Sequence, residues 1–291
     1  MSVANVIRSC LTLISPKINA KVVHRIKTGR NLDFQNPKTL AEKLVVLKIQ
    51  NYNRNPLVKK CADKYAVRDY VKAKGYGDLL NDFLAVYDTV DDIQWEKLPN
   101  QFAMKWNFGC GFNIICTDKT QLDIPKTTIQ LRNWRRVRPY LGYAEMQYKG
   151  VEKKILVEKY LSTSDGHLPP DYKLYCFNGK CVAILYIADR NLIPHRGAFF
   201  DTNWHYLGLP MKEGRSAQYA EFDALPQVPN SLNKMIEAAQ ALSEPFPFVR
   251  VDFYDIDGKA VFGEMTFTPA GGHDVSEIDI DGKPMGDLLS I

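Results

Sequence analysis

Residues 246–269 read FPFVRVDFYDIDGKAVFGEMTFTP, placing Arg250 and Asp252 on one apolar run and Glu264 on the next, across an Asp-Gly turn. Charged side chains in runs this rich in Val, Phe and Tyr require a partner or a ligand. Register decides which. A three-residue loop ending at Gly258, with Asp255 opposite Lys259, sets Arg250 opposite Glu264 and Asp252 diagonally beside it on the same face. A two-residue Asp257-Gly258 loop sets the two carboxylates on opposite faces. Chemistry that uses both acids therefore predicts the three-residue register. Two carboxylates on one sheet face repel each other, and a hard divalent cation such as Mg2+ relieves that repulsion while taking water and phosphate oxygens into its shell. A plain Arg250–Glu264 salt bridge on a solvent-facing hairpin is the simpler alternative.

Three further stretches carry compatible chemistry. In MKWNFGCGFNII, Lys105 on an apolar run precedes Gly109, Cys110 and Gly111; such a loop can fold backbone N–H groups over phosphates while the lysine supplies a point charge. An ordinary glycine hairpin turn reads the same way. In ILVEKYL, an apolar strand ends in Glu158, which can accept from the exocyclic amine of adenine; an edge strand with a charged tip is the alternative. In PPDYKLYCFNGK, Asp171 and Lys173 share a strand face, where an acid suits ribose hydroxyls and a lysine reaches phosphate.

Elements must bring these four stretches together. The first hundred residues read mainly helical. NPKTLAEKLVVLKIQ has a capping-type start at Asn36 to Lys38 and apolar residues at helical spacing, and KCADKYAVRDYVKAK repeats the pattern until Gly75. LLNDFLAVYDTVDDI predicts a strand and the start of a helix. From Phe102 short strands dominate, with helices predicted over Thr127–Gln147 and Ser231–Leu242 and a loop over 206–230. Strands and helices mix without a regular βαβ alternation, which predicts an α+β fold.

Composition excludes some classes. The chain has 291 residues, 45% hydrophobic and 24% charged, with a net charge of +5; that excess is too mild to argue for nucleic acid. No stretch approaches the roughly 18 apolar residues of a membrane span. The segment MSVANVIRSCLTLISPKINA is interrupted by Asn5, Arg8 and Ser9 and has no charged leader, against a signal peptide. A cytoplasmic protein is expected, with peripheral contact of this segment with a membrane surface left open. The cluster RNWRRVR (132–138) is either a solvated helix face or a landing site for a polyanionic acceptor such as an acidic glycan. Six cysteines without paired spacing predict reduced, mostly buried thiols.

In this order the four stretches resemble the ATP-grasp superfamily, and more closely its TupA-like branch of polysaccharide biosynthesis proteins; the likeness extends over nearly the whole chain. The resemblance implies a mainly helical region over 1–98, a small ATP-grasp subdomain with the glycine loop over 99–161, and a large subdomain with a metal-binding hairpin over 162–291. It implies ATP and Mg2+ as cofactors. Lys105 and the loop Gly109-Cys110-Gly111 would contact the ATP phosphates. Arg68, five residues after Asp63, would be a second nucleotide contact. Glu158 with the backbone of Lys159, Tyr160 and Leu161 would hold adenine, Asp171 ribose, and Lys173 phosphate. Arg250 would stabilise the phosphoryl group in transfer, and Asp252 and Glu264 would bind Mg2+. Where the wider superfamily has Glu-X-Asn this chain has Glu264-Met265-Thr266, so a hydroxyl replaces an amide at the metal and puts a second Mg2+ site in question.

The implied reaction is ligation of a carboxylate to an amine through an acyl phosphate, joining an amino acid to a uronic acid or similar carboxylate of a cell-surface glycan. No convincing Ser/His/Asp or Cys/His constellation appears. His195 and Arg196, on an expected loop, and His273 with Asp274, after the Ala-Gly-Gly turn, are candidates for substrate contact or plain surface residues. A glycosyltransferase, a kinase acting on a polysaccharide precursor, and a non-catalytic glycan-binding protein are the alternatives.

Overall fold

A computed structural model of the chain describes residues 3–189, 193–209, 219–273, 278–280 and 282–291. Helices α1 (Val3–Ile14) and α2 (Pro16–Thr28) form a hairpin, and Gly29, at φ +75°, closes α2. Helix α3 (Leu40–Leu47) has its cap one residue past the cue at Asn36–Lys38, in a capping box where Thr39 accepts from the Glu42 N–H and Glu42 accepts from the Thr39 N–H. It runs into a π-helical turn, Lys48–Tyr52.

The helical pattern expected as one element over 60–74 is two: α4 (Pro56–Ala62), capped by Asn55, and α5 (Val67–Ala73). Asp63 causes the break. Its backbone is extended, and its carboxylate accepts from the N–H groups of Tyr65 and Ala66, offering the chain a turn in place of helix.

Strand β1 (Phe83–Tyr87) follows, then β2 (Phe102–Trp106) and β3 (Asn113–Cys116) around the glycine loop, α6 (Ile124–Arg136) and β4 (Ile155–Lys159). Helix α6 begins before residue 127 and ends well before residue 147, the bounds expected for it. Asp123 caps it, and the chain beyond Val137 turns through short 3-10 segments at Pro139–Leu141 and Met146–Tyr148 because proline cannot continue the helix. These strands form an antiparallel sheet in the order β1-β4-β2-β3. Strand β1, which sequence reading assigned to the helical region before residue 99, is thus part of the small sheet. Phe102, Met104, Trp106, Ile155 and Val157 alternate onto one face and pack with Leu131 and Trp134 of α6. Lys105 and Glu158 fall on the opposite face.

The second sheet is built from β5 (Asp171–Phe177), β6 (Lys180–Ala188), β7 (Arg196–Phe200), β8 (Tyr206–Gly208), then, after α7 (Leu232–Ser243), β9 (Phe248–Ile256) and β10 (Lys259–Thr266). Its order is β10-β9-β5-β6-β7-β8, and α7 lies across β5, β6 and β9. The main core joins this sheet to α3, α4, α5 and α7 through Leu44, Tyr52, Val58, Leu174, Val251 and Phe267. All six cysteines are free, Cys10 and Cys110 exposed and the other four buried. Among the described residues no helix is long and apolar enough to cross a membrane.

Candidate functional site

The hairpin register differs from expectation. Ile256 pairs with Lys259, so the loop is the two-residue Asp257-Gly258 turn, both residues at positive φ as a type I′ turn requires. Such a hairpin, continued regularly, would separate the carboxylates. A β-bulge at Gly263 shifts the pairing by one residue, and beyond it Glu264 stands opposite Asp252 and Thr266 opposite Arg250. The acids therefore share a face by a different route, and Arg250 faces Thr266 instead of Glu264. Strand β5 extends the rows, Lys173 pairing with Asp252 and Tyr175 with Arg250.

One network results. Arg250 holds Asp252 with two hydrogen bonds, Nε to Oδ1 and Nη2 to Oδ2, each 2.7 Å. Lys173 donates to Asp252 Oδ2 at 2.7 Å and to Asp171 Oδ1 at 3.2 Å. Arg250 also donates to the Thr266 hydroxyl at 3.2 Å, which donates to Glu264 Oε1 at 3.3 Å. Glu264 Oε2 meets Lys64 Nζ at 3.0 Å. Burial would raise the Glu264 carboxyl, but Lys64, Lys173 and Arg250 outweigh it and hold the group well below the usual carboxylate range. Three carboxylates and three cations balance, so an added anion such as a phosphate chain leaves an excess that a divalent cation would offset.

Lys64 has no role in the sequence reading. The pattern Asp63-Lys64 with Arg68 contains the signal, but it points to Arg68. The turn at Asp63 fixes Lys64: Asn107, fully buried, donates to Asp63 Oδ1 at 2.9 Å and accepts the Lys64 N–H at its carbonyl at 3.0 Å. Lys64 Nζ then donates to the Gly109 carbonyl at 2.8 Å. One ammonium thereby joins the glycine loop to the hairpin carboxylate, and Glu264 keeps it charged although burial opposes this. Gly109 sits at φ +66°, and a Cβ there would meet the Phe112 ring at 3.0 Å; Phe112 packs in turn on Phe108 and Trp134. Cys110 and Gly111 form the exposed tip.

On the small sheet, Lys105 Nζ lies 2.8 Å from Glu158 Oε2. The two residues expected to meet phosphate and adenine are ion-paired with each other. Arg68 stacks its guanidinium 3.8 Å from the Phe83 ring, and Phe83 stacks on Tyr65 and pairs with Glu158 across β1 and β4. The Lys159 N–H donates to the Asp82 carbonyl and its carbonyl accepts from Asn81, so of the three residues whose backbone is expected to hold adenine Lys159 is engaged at both groups; half-buried Tyr160 and Leu161 carry the chain out of the strand.

The proposed substrate contacts lie elsewhere. Arg196 begins β7 instead of lying on a loop, and it pairs with Asp189 at 3.3 Å and Asp223 at 2.9 Å. His195 precedes it, separated from Asp171 by β6. His273 is 5% exposed, its ring 5.8 Å from His24 of α2 and 6.2 Å from Tyr143; burial pushes it down to about 2, with Lys48, His24 and Lys27 adding to the effect. It is an interior residue, not one open to a substrate. Asp274 lies outside the described residues. In the basic cluster, Arg132 pairs with Asp91 and Arg135, Arg136 and Arg138 are exposed.

Behind the hairpin, residues 267–273 are tied to the N-terminal region by groups that sequence reading also missed. Lys48, fully buried, donates to Tyr143 O at 2.7 Å and Gly271 O at 2.6 Å, and burial pushes it down to about 8. Thr268 donates to Glu145 at 2.6 Å and accepts from Gln147 at 3.2 Å. On the far side of Gln147 a cavity of about 640 Å³ opens, lined in part by Lys17, Arg54, Lys59 and Lys149 and, among the described residues, by no carboxylate.

A family model described as TupA-like ATPgrasp matches residues 42–290. No curated protein matches the chain. Among solved structures it is similar to D-alanine–D-alanine ligase from Bacillus anthracis complexed with ATP, at 14% identity, covering 72% of this chain and 55% of that one with a TM-score of 0.43. It is also similar to the ATP-grasp ligase PsnB complexed with minimal precursor (11%, 84% and 66%, TM-score 0.41) and to D-cycloserine synthetase DcsG (16%, 78% and 69%, TM-score 0.41). The chain spans little more than half the length of the Bacillus anthracis ligase chains it matches.

Proposed function

The chain belongs to the TupA-like ATP-grasp family, and from that premise we propose that it is an ATP-dependent carboxylate–amine ligase that joins an amino acid to a uronic acid or similar carboxylate of a cell-surface polysaccharide. The observation that carries the reading is the link through Lys64 between the glycine loop and the row Lys173-Asp252-Glu264.

The donor set fits a hard divalent cation. Asp252, Glu264 and the Thr266 hydroxyl are all oxygen donors on adjacent positions of one sheet face, and these three residues would hold Mg2+. Bound there, the ion would neutralise charge on the phosphoryl group being transferred. Arg250 and Lys173, already oriented by Asp252, present donors to a phosphate chain without reorganising far. Lys105 and Lys64 add charge at the loop side. The acceptor carboxylate would attack the γ-phosphorus to give an acyl phosphate and ADP; the amine would then attack the acyl carbon and expel phosphate, forming the amide. The glycine loop excludes water from the acyl phosphate.

The cation-lined cavity beside Gln147 supports an anionic acceptor, since its walls offer four positive side chains and no competing carboxylate among the described residues.

The test combines purified protein, ATP, Mg2+, uronic acid oligosaccharides and an amino acid panel, with nucleotide and product masses followed together. ADP and phosphate formed with a condensation product, and lost in Asp252→Asn, are expected. A phosphorylated acceptor with ADP would identify a kinase, and sugar transfer from a nucleotide sugar without ATP would overturn the reading.

A further inference from the structure

Helix α1 packs the wrong way round for a helix of a water-surrounded protein. Val3, Val6, Ile7, Cys10, Leu13 and Ile14 recur at helical spacing and form one stripe. That stripe faces outward: Val3 is 76% exposed, Leu13 70% and Ile14 74%. The polar side faces the protein instead. Thr12 is buried and donates to Leu141 O at 2.6 Å, and Arg8 lies 5.0 Å from the Tyr143 ring centroid. Helix α2 continues the outward surface with Ile18, Val22 and Ile26, one turn apart. Asn19, fully buried, donates to Arg8 O at 2.7 Å, so the hairpin cannot roll its apolar side inward without losing these bonds.

Charge identifies what covers this face. Residues 3–32 contain Arg8, Lys17, Lys21, Arg25, Lys27 and Arg30 and no Asp or Glu. Lys17, Lys21 and Arg25, spaced by one turn and exposed, run along the edge of the Ile18-Val22-Ile26 stripe. Cations bordering an aliphatic stripe suit a lipid interface, where acyl chains take the stripe and the side chains extend to anionic headgroups. A second copy of the chain would bring two all-cationic hairpins together, which like-charge repulsion opposes.

We propose that the α1–α2 hairpin seats the protein on an anionic membrane surface, with Ile7, Leu13, Ile14, Ile18 and Ile26 among the acyl chains and Lys21 and Arg25 at the headgroups. The proposal is independent of the ligase reading.

The experiment is flotation of the full chain with phosphatidylcholine vesicles, with and without phosphatidylglycerol. Binding to the phosphatidylglycerol vesicles alone is expected, weakening as salt shortens the screening length from about 10 Å at 0.1 M to about 3 Å at 1 M. Ile7→Asp/Ile14→Asp should abolish it. Lys21→Gln/Arg25→Gln should weaken it roughly 25-fold, about five-fold per cation. All four side chains are outside the core, so the thermal midpoints of both variants should match the parent. Equal binding to neutral vesicles, or no binding to either, would overturn the proposal. So would a dimer in sedimentation that Ile7→Asp/Ile14→Asp dissolves while vesicles stay unbound.

Discussion

Lys64 touches both halves of the candidate site, through the Gly109 carbonyl and the Glu264 carboxylate. An ammonium taken largely out of water is costly unless it is paired and hydrogen-bonded, and for half-buried Lys64 both conditions are met by groups far apart in the chain. Its removal would free the glycine loop and leave Glu264 with less positive charge beside it, raising that carboxyl. Lys64→Met is therefore expected to lower ATP-dependent turnover on the order of 10²-fold, the effect of deleting one preorganised donor to a developing charge. Steady-state ADP release with ATP varied is the measurement, and turnover within a few-fold of the parent would remove Lys64 from the site.

At the scale of the element, the hairpin works because Gly263 makes a bulge. A Cβ at this position would stand 3.0 Å from the Asp252 carbonyl oxygen and 3.3 Å from the Tyr254 ring. Gly263→Val should push the bulge apart and displace Glu264 from Asp252. Misplacement by about 1 Å costs on the order of 10²-fold in rate, so activity should fall by at least that factor while circular dichroism still shows a folded chain. Retained activity would mean the register tolerates the change. The alternating runs around Asp257-Gly258 were enough to read the two strands but not the length of the turn between them, and Lys105, Glu158, Asp171 and Asp252 all lie on strands as their local patterns predict. The bulge has a local cue, the isolated glycine Gly263 inside a strand run, which a register argued from turn length alone leaves out. The break between α4 and α5 is masked because apolar spacing continues through Asp63, whose carboxylate takes the N–H groups of Tyr65 and Ala66 and is held in that position by Asn107, distant in the chain. Lys64 and Lys48 were missed because each makes its decisive contacts with residues distant in sequence.

At the scale of the whole molecule, the N-terminal helices are joined to the segment after β10 by buried groups that resist protonation. His24 and His273 face each other at 5.8 Å, between Glu42 on one side and Lys48 and Lys27 on the other. Burial lowers both, His273 to about 2, whereas an unfolded histidine titrates near 6.5. Between those two values the unfolded chain binds a proton that folded His273 does not, so stability is complete above about pH 6.5 and falls as the pH drops through this window. The slope approaches about 1.4 kcal/mol per pH unit for one such histidine. Glu264 also destabilises the fold in acid, but only from the carboxylate range downward, because its folded value is depressed and its unfolded value is that of an ordinary glutamate. The two contributions therefore separate in pH. Urea midpoints taken at pH 7, 6 and 5 should decline for the parent and decline less for His273→Leu, with His24 retaining part of the slope. Equal slopes for the two proteins over pH 7 to 5 would show that His273 protonates freely in the folded state and that the junction is open to water.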